Sequence, residues 1–115
     1  AGANNAALVR RNNELIELEP DKMPISIYRD IKIPFNLKTL KTQPGDYLYM
    51  FTDGYTDQFG GKKEKKFKSN NFRKLLSRLP EDSMRGQEEE IRQKFYAWKG
   101  NLEQVDDVLV IGIKI

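Results

Sequence analysis

The chain closes on VLVIGIKI, residues 108–115, a run that is apolar on both faces up to Gly112. It falls well short of the roughly 18 apolar residues of a membrane span, and it lacks the polar alternation of a half-exposed strand. It therefore reads as a central strand that needs cover on both faces. The rest of the 115 residues, one domain at most, has to supply that sheet and its cover.

Upstream segments supply strands first. AALVR (6–10) and ELIEL (14–18) flank Asn12-Asn13, a pair suited to the positive φ values of a tight hairpin. PDKMPISIY is a proline-punctuated loop that turns apolar again at Ile25 and Ile27. KIPFNLKTLKT alternates Ile33, Phe35, Leu37 and Thr39 with polar residues, which predicts a half-buried strand. Pro44-Gly45 has type II turn chemistry and leads into DYLYMFT, with Tyr47, Tyr49 and Phe51 on one face and Leu48, Met50 and Thr52 on the other. With so little polar face, this too predicts an interior strand.

Two helices follow. Phe72, Leu75, Leu76 and Leu79 recur at helical spacing, with Asn or Ser before them as caps and Pro80 after. Ile91, Phe95, Trp98 and Leu102 recur likewise, with Ser83 as N-cap and Gly100 as the stop. Strands, then helices, then one closing strand make the fold class α+β, with antiparallel strands and two helices packed on one side. Two short amphipathic helices cover one face of such a sheet, so this order predicts part of a domain.

Composition narrows the chemistry. There is no histidine and no cysteine, which excludes Ser-His-Asp and Cys-His nucleophiles, phosphohistidine, disulfides and thiolate metal sites. Carboxylates with hard cations remain the obvious option. The 20 basic and 17 acidic residues leave a net charge of +3 and a pI near 9.1, which permits phosphate-bearing partners without demanding them. The opening AGANNAALV has neither a basic leader nor a cleavage site, so a cytoplasmic address is the default expectation.

Asp53 stands at the exit of one predicted interior strand, in MFTDGYTDQFGG, and Asp106 and Asp107 at the entrance of another. If those strands are antiparallel neighbours, the acids meet at one edge of the sheet. Carboxylates that close repel unless a cation sits between them, and Mg²⁺ or Mn²⁺ with oxygen ligands is the economical solution. Gly54 would let the backbone turn closely around a ligand. Surface acids that merely stop two strands would show the same spacing.

PGDYLYMFTDGYTDQFGG resembles the Asp-Gly segment of the metal-dependent type 2C serine/threonine phosphatases, in the bacterial branch typified by SpoIIE. QVDDVLVIGIKI is similar to that branch's closing strand, where an Asp-Asp pair opens an aliphatic run. AGANN resembles the family's AGHNP, with Ala3 where His is common and Ala6 near its Pro. Pro24-Ile25-Ser26 resembles its PLG, with Ser for Gly. Leu109 stands where Thr is usual.

The resemblance implies a β-sandwich flanked by helices with a dinuclear Mn²⁺ or Mg²⁺ site at one end. It implies Asp53 and Asp106 as metal ligands, Gly54 shaping the turn, and Asp57 and Asp107 as supporting or structural acids. The implied reaction is attack of a metal-activated water on phosphoserine or phosphothreonine of a bacterial signalling protein, with no covalent enzyme intermediate. In the family another Asp-Gly ligand segment precedes AGHNP. Residues 1–115 are therefore expected to be the C-terminal portion of one domain, weak in metal binding and inactive alone. The parent would be cytoplasmic, or the cytoplasmic end of a membrane-anchored sensor. A non-catalytic interaction module that keeps the fold is the alternative.

Lys62, Lys63, Lys65, Lys66 and Lys68 form an exposed run just past this turn. They could dock an acidic substrate, or form a plain solvated loop. Only Phe67 is interleaved and no groove motif is present, so nucleic acid is not the expected partner. Trp98 with Phe95 reads as helix core, and Ser26, Thr52 and Thr56 have no activating base beside them. Uncovered strand surface would be hidden by a homodimer or by strand exchange.

Overall fold

The computed structural model describes residues 5–23, 34–81 and 83–115. The AGANN segment up to residue 4, the Pro24-Ile25-Ser26 segment, Ile27 and Ile33 lie outside the described residues.

The first hairpin forms as the sequence predicts. β1 (Ala7–Arg11) and β2 (Glu14–Leu18) pair antiparallel around Asn12 and Asn13, at φ 50° and 65°. Asparagine tolerates that left-handed conformation better than most residues. Gly45, at φ 93°, turns the chain into β3 (Tyr47–Phe51), which pairs with β1 on one side and with β6 (Val110–Lys114) on the other. The resulting four-stranded antiparallel sheet has the order β2-β1-β3-β6. Between β3 and β6 lie a single helical turn α1 (Gly54–Asp57), the two-stranded hairpin β4 (Phe59–Gly60) and β5 (Lys65–Lys66), and helices α2 (Ser69–Ser77) and α3 (Met84–Lys99). No helix among the described residues is long and apolar enough to cross a membrane.

Helices and sheet meet on one side in a core of Leu8, Tyr47, Tyr49, Tyr55, Phe72, Leu76, Leu79 and Phe95. Polar groups buried in this layer fix how it is assembled. Arg10, only 2% exposed, donates to the carbonyls of Leu79 (2.8 Å) and Leu76 (3.4 Å) and to the Glu81 carboxylate (2.8 Å), with its guanidinium over the Tyr47 ring. The Tyr49 hydroxyl donates to Gln87 Oε1 at 2.8 Å, and Gln87 Nε2 to the carbonyl of Pro80. These bonds fasten the connection between α2 and α3 onto β1 and β3, since buried polar groups must find partners.

Three expectations need correction. Residues 34–42 form no strand; Leu37 is 91% exposed. The segment is fastened by side chains instead, with Asn36 on Asp21, Lys38 on the carbonyl of Glu19 and Arg11 on the carbonyl of Lys41. Period-two alternation makes one apolar face but supplies no ladder partner, and Pro34 removes a donor. The closing strand is not central but an edge strand with one face bare: Ile111, Ile113 and Ile115, with Met50 of β3, are 40–44% exposed. The described residues place no second layer over them. Finally, α2 takes no Asn or Ser cap, because Lys68 precedes it at φ 73° and Ser69 lies inside the helix. For α3 the predicted cap is present, with Ser83 Oγ accepting from the Gly86 N–H at 2.9 Å, and Gly100 ends that helix at φ 54°.

Candidate metal-binding edge

The antiparallel register pairs Phe51, the last residue of β3, with Val110, the first of β6. The next residue, Thr52, carries the ladder further. Its N–H donates to the carbonyl of Leu109 (3.0 Å), while its hydroxyl donates to the carbonyl of Asp107 (3.1 Å) and accepts from the Leu109 N–H (3.0 Å). Asp53 follows, exposed, at the head of α1. Its carbonyl accepts from the Asp57 N–H (2.9 Å) and the Thr56 hydroxyl (3.0 Å), whereas its carboxylate makes no capping bond.

Gly54 closes the approach. A Cβ on it would lie 2.2 Å from the carbonyl oxygen of Asp107, inside any real contact. Glycine here is a packing requirement, because the segment leading into β6 sits directly against the α1 backbone at Asp107. Asp106 and Asp107, also exposed, are thus held at the same end of the sheet as Asp53. One Asp106 oxygen accepts from the Asp107 N–H at 2.8 Å, and the Asp106 carbonyl accepts from Gln104 Nε2 at 2.9 Å.

Among the described residues no three acidic side chains converge closely enough to hold a metal ion. The chain supplies hard oxygen donors at an exposed, glycine-shaped edge. That suits Mg²⁺ or Mn²⁺, which can bind through one or two protein carboxylates while waters and phosphate oxygens complete the shell.

Asp57 is the last residue of α1 and pairs with Lys66 at 3.0 Å, joining the turn to the lysine hairpin. Lys62, Lys63, Lys65 and Lys66 are all exposed, as the run predicts, but β4 and β5 order them into a hairpin instead of a plain loop. The contacts that seat that hairpin come from α3, far away in sequence. The Gly61 N–H donates to the carbonyl of Trp98 (2.9 Å), Trp98 Nε1 donates to the carbonyl of Gln58 (3.0 Å), and a Cβ on Gly60 would lie 1.9 Å from the Trp98 carbonyl oxygen. The pair Gly60-Gly61 was the available signal. Phe95 lies in the core, as read, but Trp98 is half-buried beside that core, against Phe67, and serves as the hairpin's anchor.

The family pattern described as Stage II sporulation protein E (SpoIIE) matches residues 1–115. The chain belongs to the SpoIIE family. Its fold is that of PP2C-type phosphatase domains. The SiaA-PP2C domain of Pseudomonas aeruginosa superposes with a TM-score of 0.80 at 22% identity, covering 96% of this chain and 42% of that one. The phosphatase domain of the cell fate determinant SpoIIE from Bacillus subtilis, presoaked with Mn, superposes with a TM-score of 0.61 at 16% identity, covering 96% of this chain and 46% of that one. A second structure of the same SpoIIE domain gives 0.62 at 14% identity, covering 99% and 49%. The chain thus spans less than half the length of these structures. No curated protein matches it in sequence.

Proposed function

We propose that the protein carrying this chain is a metal-dependent phosphatase. It would remove phosphate from a serine or threonine of a cytoplasmic signalling protein, with Asp53 and Asp106 holding Mn²⁺ or Mg²⁺. The observation that carries the reading is the close approach of Gly54 to Asp107, which sets the Asp53 and Asp106–Asp107 ends of two strands side by side at one edge. The SpoIIE family membership and the PP2C-type fold support it. Such a bound ion provides an activated water at neutral pH and offsets the phosphoryl charge.

The chain's own residues have separable duties in this reading. Asp53 offers a carboxylate free of capping work. Asp106 offers the oxygen not engaged by the Asp107 N–H. Thr52 keeps the two strand ends in register, and its hydroxyl, already donating and accepting, is not a nucleophile. With no histidine or cysteine in the chain, nothing here offers a covalent route through either residue.

The test is Mn²⁺ titration by calorimetry and phosphoserine-peptide hydrolysis with the full-length protein and its Asp53→Asn and Asp106→Asn variants. Each variant is expected to weaken Mn²⁺ binding and lower turnover by about 100-fold or more, because losing a group that merely orients a ligand already costs about 10–100-fold. Unchanged Mn²⁺ affinity in both variants would remove these acids from the site.

A further inference from the structure

Residues 59–68 hold five lysines against one glutamate, a net charge of +4, whereas the whole chain carries only +3. The positive charge of this protein is therefore concentrated in one hairpin, and the remainder is slightly acidic. The hairpin is also held at many points. Gly61 and Gly60 are pressed on Trp98, and Phe67 packs edge-on against Tyr55 (5.2 Å) and Trp98 (5.4 Å). The Lys68 N–H bonds the carbonyl of Thr56 at 2.8 Å, and Lys66 pairs with Asp57. Glu64 and Lys68 sit at φ 46° and 73°, a conformation that non-glycine residues adopt at a cost.

A loop that only has to be solvated needs none of this. What the fastening fixes is the placement of Lys62, Lys63 and Lys65, whose side-chain ammonium groups have no ion-pair or hydrogen-bond partner among the described residues. The hairpin rests on α1, whose N-cap is Asp53, and on Trp98 of α3, so platform and acidic edge share one support.

We infer that Lys62, Lys63 and Lys65 are a docking platform for an acidic stretch of the phosphorylated protein substrate. The inference rests on the phosphatase reading for the phosphoryl group, while the recognition of acidic side chains stands on the hairpin alone. Exposed ammonium groups act on carboxylates through steering and a salt-dependent encounter. Nucleic acid is the weaker fit: successive bases need successive stacking faces, and the hairpin exposes a single ring, Phe59.

The experiment uses full-length protein and fluorescence anisotropy. Its probes are two labelled peptides with one phosphoserine each, flanked by Asp and Glu or by Ser and Gly, and an oligouridylate of the same charge as the acidic peptide. The acidic peptide is expected to bind about tenfold tighter than the neutral one, an advantage that vanishes in about 0.5 M NaCl. The advantage should also vanish in Lys62→Gln/Lys63→Gln/Lys65→Gln and return in the corresponding triple Arg variant. Binding of the acidic peptide by the triple Gln variant within about twofold of the parent would overturn the platform, as would tighter binding of the oligouridylate. Hydrolysis measured in parallel separates the two proposals. Lysine-dependent binding without phosphate release would leave the platform and remove the phosphatase reading. Release with no preference for acidic flanks would do the reverse.

Discussion

Replacing Gly54 with alanine sets helix propensity against steric exclusion. Gly54 is the first residue of α1 and lies outside the left-handed region, so alanine would ordinarily gain about 0.5–1 kcal/mol there. The added Cβ, however, would meet the Asp107 carbonyl oxygen at 2.2 Å and its carbon at 2.9 Å. Both are backbone atoms, tied to Thr52 by the hydroxyl bonds, and no rotamer change relieves the clash. The strand ends must separate, by about 1 Å if an ordinary carbon–oxygen contact is to be restored. Overpacking of this kind costs about 3 kcal/mol at the upper end of its usual range, which leaves a net loss of about 2 kcal/mol after the helix gain. The superposed domains are roughly twice as long as this chain. For a domain of that size the loss corresponds to a Tm about 4–8 °C lower. Thermal melts of the full-length protein followed by circular dichroism read this directly, and under the proposed function Mn²⁺ affinity should fall in the same variant because the proposed ligands are moved apart. A Tm unchanged or raised would refute the close approach, and with it the argument that joins Asp53 to Asp106–Asp107.

Two further expectations concern charge and the bare sheet face. Arg11 donates to both oxygens of buried Asp46 (2.9 and 2.7 Å), which holds that carboxyl below its ordinary range. Because the folded value is the lower one, the pair's stabilisation is complete above the unfolded pKa of about 3.9 and is lost as pH falls through the folded value. Urea midpoints measured from about pH 5 down to about pH 2 should fall less steeply in Asp46→Asn than in the parent, and parallel slopes would count against the pair. The 115-residue chain expressed alone, with Ile111, Ile113, Ile115 and Met50 uncovered, is expected to pair with a second copy of itself across that face. A monodisperse monomer in light scattering would contradict this.

Legibility in the sequence followed how local the physics is. Asn12-Asn13, Pro44-Gly45, Ser83 and Gly100 each act within a few residues, and each was readable as a turn, cap or stop. The interior position of β3 was readable too, because both its faces are apolar. Residues 34–42 were not, since alternation states a preference for a surface but not whether a neighbouring strand exists to bond it. β6 shows the converse: two apolar faces read as an interior strand, but the sequence pattern does not show that among the described residues one of them is left bare. At the candidate site, Asp53, Gly54 and the Asp106–Asp107 pair could be named from the strand ends they occupy. The part played by Thr52 could not, since its two bonds reach residues 55 and 57 positions away. Likewise Trp98 showed its helical periodicity plainly while its 40-residue reach to Gln58 left no local trace.

The Thr52 bridge has one more consequence, a division of labour. At this edge a neutral hydroxyl and main-chain groups do the holding, and the Asp53 carboxylate carries no structural duty. Its charge can be bound, neutralised or removed without disturbing strand registry, so a loss of function in Asp53→Asn reports on chemistry and not on folding. Asp106 is not equally free, because one of its oxygens receives the Asp107 N–H. Asparagine there keeps an acceptor in place, while alanine would strip the main chain of a bond along with the charge. The two acids are therefore unequal instruments: the first can be changed at will, the second only by an isostere.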